Sequence, residues 1–279
     1  MKFIIFKKYQ LYTYFLCIFN VFYAEQKNFV IIVPSYNNVH WCQKNLDSIF
    51  TQNYQNYHVI YIDDHSNDGT EDYVEQYIRQ HNLFNKVTFI KNSYRRGALS
   101  NYYDTIHSCN DSDIIVTVDG DDWLAHNHVL SFLNEIYQDK NIWLTYGQFR
   151  YYPRNPYDAV QAMCGDIGLA DKFPDEIIKN RDFRKYGPYV ATHLRTFYAY
   201  LFKKIKKEDL MHNEDFYWVS WDAAFMFPML EMCGNRFKAV SDILYFYNCE
   251  NPLNDWRIQD KLQNDLANEI RSKNKYNLL

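Results

Sequence analysis

The feature that most constrains the fold is an alternation of short apolar runs with segments of helical period, which begins at residue 28. The apolar runs have the length and composition of buried strands and cover residues 28–34, 57–62, 86–91 and 113–118. Between them, helices are predicted over residues 40–52, 70–82 and 97–107, and another follows over 127–137. Strands separated by helices at this spacing predict βαβ units and a largely parallel sheet, and therefore an α/β protein.

The second half of the chain has a weaker pattern. Residues 150–212 contain several prolines and little periodicity, which predicts loops and short elements over the sheet. A helix is predicted over 215–232 and a last strand over 239–247, and the polar residues after Asn254 predict a loose helix or tail. At 279 residues the chain suits one large domain, so we predict a folded domain over 25–255 and a polar tail over 256–279.

The N-terminal residues 1–24 have a composition of their own. Three lysines precede an apolar run that ends at Ala24, an arrangement typical of a secretory signal peptide or of an uncleaved membrane anchor. Either of these predicts a lumenal or membrane-associated protein. An apolar first element packed on the core is the alternative, and it predicts a cytoplasmic protein.

Charge and cysteine content exclude some classes of function. The formal net charge is -4, and no basic patch is large enough to indicate binding to nucleic acid. The six cysteines are scattered, without a CxxC pair or the spacing of a zinc finger. No GxxxxGK[ST] phosphate loop and no GxGxxG dinucleotide motif is present.

Clusters of acidic residues follow two of the predicted strands. Asp63-Asp64 ends the second strand, and Asp119-Gly120-Asp121-Asp122 ends the fourth. Ligands of parallel sheets bind beyond the carboxyl ends of the strands, where carboxylates need a cation, a hydrogen-bond donor or water. A divalent cation that bridges to phosphates meets this need. The alternative is a solvated acidic turn.

The spacing within the second cluster favours a shared ligand. In an extended chain, alternate side chains point to one side, so the carboxylates of Asp119 and Asp121 can face the same ion. Gly120 between them allows the backbone to approach a neighbour closely.

Taken together, these segments resemble the family 2 glycosyltransferases, which have a GT-A fold. The matching segments occur in the order and spacing of that family: residues 33–37, residues 63–70, Asn92 with Gly97 and Asn101, and residues 119–122. The second half of the chain is similar to the family only loosely. The resemblance implies a GT-A type, Rossmann-like sandwich in which helices flank a central, mostly parallel sheet.

The resemblance also implies a nucleotide-sugar donor, with uridine diphosphate (UDP) as the expected nucleotide. Pro34 and Tyr36 would line the nucleotide pocket, and Asp64 would accept a hydrogen bond from the base. Asp63 would help to shape the same pocket, and Arg96 would meet the base or a phosphate. Helix-capping and turn duties are the alternative for Asp63, and a solvated surface position is the alternative for Arg96.

For the metal, the resemblance implies Mn²⁺ or Mg²⁺ held by the second acidic cluster. Asp121 would bind the ion directly, Asp119 would contact the ion or the ribose, and Gly120 would lie against the donor. His193 and Arg195 are further candidates to contact the ion or the diphosphate. A structural role is the alternative for His193.

An inverting transfer also needs a base that takes the proton of the acceptor hydroxyl. In similar enzymes this base is an aspartate at the start of a helix, and Asp222 occupies that place here. Trp221 departs from the acidic residue that usually precedes it. Glu214 and Asp215 are rival candidates, and a carboxylate that stabilises the helix dipole is the alternative role for Asp222.

The resulting hypothesis is an inverting hexosyl- or N-acetylhexosaminyltransferase that acts on a hydroxyl of a glycan, protein or lipid. A nucleotidyltransferase is a second hypothesis, but residues 34–38 lack its glycine-rich, basic phosphate loop. A degenerate fold that serves as a binding or scaffold module is the third. The presence of Asp119, Asp121 and Asp222 counts against that third hypothesis.

Overall fold

The computed structural model describes residues 25–153, 167–168 and 170–279. The strands within these residues are β1 (Phe29–Ser35), β2 (Tyr57–Asp63), β3 (Val87–Lys91), β4 (Ile114–Thr117), β5 (Trp123–Leu124), β6 (Leu144–Tyr152), β7 (Arg195–Tyr198), β8 (Met211–His212), β9 (Asp215–Phe216) and β10 (Phe237–Asn248). The α-helices are α1 (Cys42–Phe50), α2 (Thr70–Gln80), α3 (Ala98–Ser108), α4 (Val129–Ile136), α5 (Asp175–Asn180), α6 (Ala199–Phe202), α7 (Trp221–Cys233), α8 (Asp255–Ile258) and α9 (Asp260–Ser272). Two 3₁₀-helices cover Phe183–Lys185 and Lys207–Leu210.

Eight of these strands form one sheet in the order β3-β2-β1-β4-β7-β6-β10-β5. Strands β3, β2, β1 and β4 run parallel to one another, and β6 runs parallel to β10. The short strand β7 is antiparallel to both β4 and β6, and β5 is antiparallel to β10. The predicted α/β class with a mostly parallel sheet is therefore confirmed.

The first strand shows why the sheet is covered on both faces. Every residue of β1 is buried. Val30 and Ile32 pack into an apolar core with α3, α6 and α7, whereas Phe29, Ile31 and Val33 pack into a second core with α1, α2 and α4. Because successive side chains of a strand point to opposite faces, one continuous apolar run supplies both cores.

The predicted helix over 215–232 begins six residues too early. Asp215–Phe216 pairs with Met211–His212 in a two-stranded hairpin, whose turn residues Asn213 and Glu214 have positive φ. Ser220, just before α7, also has φ of 53°. Residues 223–233 of α7 are all buried, so the helix has no polar face whose period would have marked its start.

The predicted polar tail forms α9 and packs on the body of the protein. Leu266 and Ile270 of α9 are buried in the same core as α7. Beneath them lies a buried ion pair, in which the Arg184 Nε atom is 2.7 Å from the Glu231 Oε1 atom. Arg184 also donates to the carbonyl of Ile270, and Glu231 accepts from the amide of Tyr276. These bonds attach the last helix and the residues after it to α7.

The predicted signal peptide or anchor, residues 1–24, lies outside the described residues and stays a prediction. Among the helices that the structure describes, none is both long enough and apolar enough to cross a membrane.

Candidate active site

A cavity of about 260 Å³ opens where β1 and β4 end. The sheet supplies its floor, the start of α7 one wall, and the segment after β10 another. The residues that line it include Pro34, Tyr36, Arg95, Asp119, Gly120, Asp121, His193, Arg195, Trp221, Asp222, Tyr247, Asn251 and Asp255. The predicted donor-site, metal-site and base residues Pro34, Tyr36, Asp119, Gly120, Asp121, His193 and Asp222 are thus brought to one cavity.

The turn after β4 is held from two sides. The side-chain amide of Asn45 donates to the carbonyls of Asp119 (3.0 Å) and Asp122 (2.8 Å). On the other side, the hydroxyl of Tyr245 donates to Asp122 (2.7 Å), and the backbone amide of Asn248 donates to the second oxygen of Asp122 (2.7 Å). Asp122 therefore ties the turn to β10, which leaves Asp119 and Asp121 to face the cavity.

Gly120 meets the end of β1 at very short range. A Cβ atom at this position would lie 2.5 Å from the Ser35 hydroxyl oxygen and 2.6 Å from the Ser35 Cβ atom. The close backbone approach predicted for Gly120 is present, and its partner is β1 itself.

Burial dominates the electrostatics of the acidic turn. It raises the pKa of Asp119 to about 7, with a further contribution from the neighbouring Asp121 carboxylate, while Arg195 opposes the shift. Burial also raises the pKa of Asp121, against the hydrogen bond from Asn251. Both carboxylates would become more acidic next to a positive ion, so the turn favours a cation.

Ligand atoms of Asp119, Asp122 and His193 lie within 4.8 Å of one another. Burial and the nearby Arg195 guanidinium lower the pKa of His193 well below its usual value, so the imidazole is neutral, which is the form that binds metals. Carboxylate oxygens with one imidazole suit Mn²⁺ better than soft metals. The residues present therefore fit the expected divalent cation. Asp122 was not predicted as a member of this group, whereas Asp121, which was predicted to bind the ion directly, lines the cavity but is not one of the three.

Asp222 and Arg195 form an ion pair on the wall of the cavity. The Arg195 Nη2 atom donates to the Asp222 Oδ2 atom, and Arg195 is only 3% exposed. The other Asp222 oxygen accepts from the amide of Ala223 in the first turn of α7 (2.9 Å). The rivals Glu214 and Asp215 are exposed on the β8–β9 hairpin and do not line the cavity.

Arg95 and Arg96 point to different places. The Arg95 guanidinium lies 3.9 Å from the centre of the Tyr36 ring and 5.4 Å from that of Trp218, at the cavity. Arg96, the predicted residue, instead pairs with Asp104 (2.5 Å) and does not line the cavity. Side chains of adjacent residues in an extended segment diverge, so the sequence alone does not identify which of the two enters the site.

Asp64 holds the segment that carries these arginines. Its Oδ1 atom accepts from the side chain of Asn92 (2.7 Å) and the amide of Arg96 (2.9 Å), and its Oδ2 atom accepts from the amide of Gly97 (2.8 Å). Asp63 is also buried and accepts from the turn that follows β2. Neither carboxylate is among the lining residues, so both support the cavity wall from behind.

Asp255 is an acidic residue of the cavity that no sequence pattern identifies. Burial raises its pKa to about 6, against the effect of Arg95, with smaller contributions from Asp222 and Asp121. Asn251, from the same segment, donates to Asp121 (2.7 Å). Both residues follow the last strand, where neither periodicity nor a recognisable spacing marked them.

Comparisons with known proteins agree with this fold. Residues 30–210, more than half of the chain, match the family model described as Glycosyl transferase family 2. A curated relative, the glycosyltransferase GlyA of Streptococcus pneumoniae serotype 4, is 26% identical over 106 residues, which are 38% of this chain and 14% of that protein. The chain thus matches only a small part of that relative's length.

Solved structures with a similar fold include residues 1–349 of TarS from S. aureus, with a TM-score of 0.58 and 18% identity over 79% of this chain and 60% of that one. The mannosyltransferase PcManGT from Pyrobaculum calidifontis, in complex with GDP-Man and Mn²⁺, gives a TM-score of 0.57 and 18% identity. That similarity covers 90% of this chain and 66% of the other. At this identity the similarities establish the GT-A type fold.

Proposed function

The chain belongs to glycosyl transferase family 2, and from this premise we propose that it is a metal-dependent, inverting glycosyltransferase. The donor would be a nucleoside-diphosphate sugar, with UDP as the nucleotide, and the acceptor a hydroxyl group of a glycan, protein or lipid. The observation that carries the proposal is that Asp119, Asp121, His193 and Asp222 line one cavity at the ends of β1 and β4.

Structural relatives support a nucleotide-sugar donor. TarS has been solved with UDP-GlcNAc and PcManGT with GDP-Man, so both kinds of nucleotide occur on this fold. In this chain, Tyr36 with Arg95 offers a flat surface for a base and a positive charge for phosphates. Uridine is proposed here because of the resemblance of residues 33–37 and 63–70 to family members that use UDP.

Asp119, Asp121 and His193 would hold the divalent cation, with Asp122 completing the group. Such an ion, when bound, stabilises the negative charge on the departing diphosphate. The chain's own contribution is to fix the turn through Asn45 and Tyr245 and to keep His193 neutral.

Asp222 would act as the base. Its carboxylate lies on the cavity wall and is oriented by Arg195 and by the amide of Ala223. The acceptor proton would move to a carboxylate oxygen while the acceptor oxygen attacks the anomeric carbon from the face opposite the diphosphate. Arg195 also brings a positive charge to the cavity, where it can compensate charge on the diphosphate.

Calorimetric titration of the protein with UDP tests the donor site. We expect binding that requires Mn²⁺ and that weakens at least about tenfold in Asp121→Asn, because even groups that only support metal ligands have effects of this size. Glu176→Gln, on exposed α5, is the control and should bind as the unchanged protein does. If a folded protein binds no nucleoside diphosphate in the presence of metal, the scaffold hypothesis replaces this one.

The raised pKa of Asp119 predicts that metal binding depends on pH. At a pH below its pKa of about 7, this carboxylate holds a proton that the metal must displace. Affinity for Mn²⁺ should therefore fall by about tenfold when the pH is lowered from 8 to 6. Titrations in two buffers of different ionisation enthalpy should show close to one proton released at pH 6. Equal affinity and no proton release at the two pH values would contradict the prediction.

A further inference from the structure

A second cavity, of about 220 Å³, adjoins the first between the start of α7 and α9. It shares Ser220, Asp222 and Gln263 with the donor cavity. Its remaining walls include Tyr189 and Phe227. Asp222 is thus the acidic residue common to both cavities, and a group in the second cavity can reach the carboxylate without entering the first.

A buried polar group of this second cavity lacks a hydrogen bond of regular geometry within the described residues. This group is the hydroxyl of Tyr189, whose pKa is raised by burial, and the side chains of Asp222 and Arg195 are close enough to contribute to that pKa. The Gln263 side chain is half-buried at the wall of the same cavity and adds an amide group there. A buried polar group without a partner is unfavourable, so the Tyr189 hydroxyl favours a ligand that supplies a hydroxyl. The Gln263 amide can bond to the same ligand.

The charge of the second cavity favours a neutral ligand. Arg271 lies at its edge, but its guanidinium donates to the carbonyls of Arg184 (2.7 Å), Tyr186 (2.7 Å) and Gly187 (3.2 Å). Burial lowers the pKa of Arg271. With its donors directed to the backbone, this arginine is poorly placed to bind a phosphate or carboxylate.

The shape and the apolar walls point to a single ring. Phe227, Ala223 and Ala267 provide apolar surface, while Tyr189 and Gln263 provide the polar edge. This combination matches a pyranose, which has an apolar face and a rim of hydroxyls. The volume is below the ~300–1,000 Å³ of cavities that hold drug-sized ligands, so an extended chain would have only its last unit inside.

We infer that the second cavity binds the acceptor, that the acceptor ends in a neutral sugar ring, and that Tyr189 positions its hydroxyl towards Asp222. The inference rests on the proposed function, because it takes Asp222 as the base. The acceptor O–H bond breaks, its proton moves to Asp222, and the acceptor oxygen bonds to the anomeric carbon. The bond from that carbon to the diphosphate breaks, and its electron pair leaves with the nucleoside diphosphate.

Saturation-transfer NMR on the full chain, with UDP and Mn²⁺ present, tests this assignment. The probes are the methyl glycosides of glucose, galactose, mannose and N-acetylglucosamine. We expect at least one to bind. Tyr189→Phe removes a single oxygen and should weaken that binding by about two- to tenfold, the effect of one hydrogen bond. Ala267→Phe fills the cavity and should abolish it.

Leu262→Phe is the matched control, because Leu262 lies on the exposed side of α9 and lines neither cavity. Calorimetry with UDP on each variant reports on the fold and on the donor site. If UDP binds but no glycoside does, or if glycoside binding survives Ala267→Phe, the assignment of the second cavity is wrong. If the unchanged protein fails to bind UDP, the proposed function fails and this inference falls with it.

Discussion

Asp222→Asn is expected to lower the turnover rate of sugar transfer by about 10²–10⁴-fold, the usual contribution of a general base. The amide occupies the same space but cannot accept the acceptor proton. It also removes one charge of the ion pair with Arg195, an arginine that is only 3% exposed. The rate should be measured at saturating donor, so that the loss is read in turnover and not in donor affinity.

The controls for this prediction are the rival acids. Glu214→Gln and Asp215→Asn change exposed side chains of the β8–β9 hairpin and should leave turnover within about twofold, as surface substitutions usually do. Circular dichroism melting should show that Asp222→Asn remains folded at the assay temperature. Loss of turnover in Asp215→Asn, with activity retained in Asp222→Asn, would transfer the role of base to the hairpin.

Glu231→Gln is expected to lower the free energy of unfolding by about 3–5 kcal/mol, because it leaves the charge of Arg184 buried without its partner. The side chains of Arg184 and Glu231 are only 6% and 1% exposed. The Glu231 carboxylate also accepts from the amide of Tyr276, so the substitution weakens the attachment of the residues after α9. Urea unfolding followed by tryptophan fluorescence measures the change.

Two comparisons show how far the loss of stability depends on the burial of the ion pair and on its charges. Asp175→Asn breaks the exposed pair with Lys172 and should change the free energy of unfolding by less than about 1 kcal/mol. In the double variant Arg184→Met/Glu231→Leu, apolar groups replace both charges. This variant should regain most of the free energy of unfolding that Glu231→Gln loses. If Glu231→Gln is no more destabilising than Asp175→Asn, the buried pair does not stabilise the attachment of α9.

The elements of the first half were predictable because each carries its own periodic signal. The strands β1 to β4 are short apolar runs, and α1 to α4 each bury one side. The second half lacks such signals. The four residues of β7 become a strand only by pairing with β4 and β6, which are about 50 to 80 residues away in sequence. Tertiary pairing of this kind leaves no local pattern.

The residues of the candidate site likewise fall into two groups, those that the sequence identifies and those that it does not. Asp119, Gly120 and Asp121 were identified from spacing, because they are consecutive at the end of a strand. Asp222 was identified from the resemblance, which places the base at the start of a helix. The direction of Arg95, the position of Asp255 and the buried hydroxyl of Tyr189 depend on how distant segments meet. Sequence spacing does not indicate how far apart those segments lie in space. The roles of these three residues are therefore visible only in the folded structure.

The contact between Gly120 and Ser35 also restricts the mutational paths open to the chain. Alanine at position 120 would place its methyl group 2.5 Å from the Ser35 oxygen and 2.8 Å from the Asn38 amide nitrogen. A residue without a Cβ atom at position 35, together with a shift of the Asn38 side chain, would have to come first, since the reverse order passes through a clash at the turn after β4. The two positions are therefore epistatic. The short distance between residues 35 and 120 sets the order in which they can change during evolution.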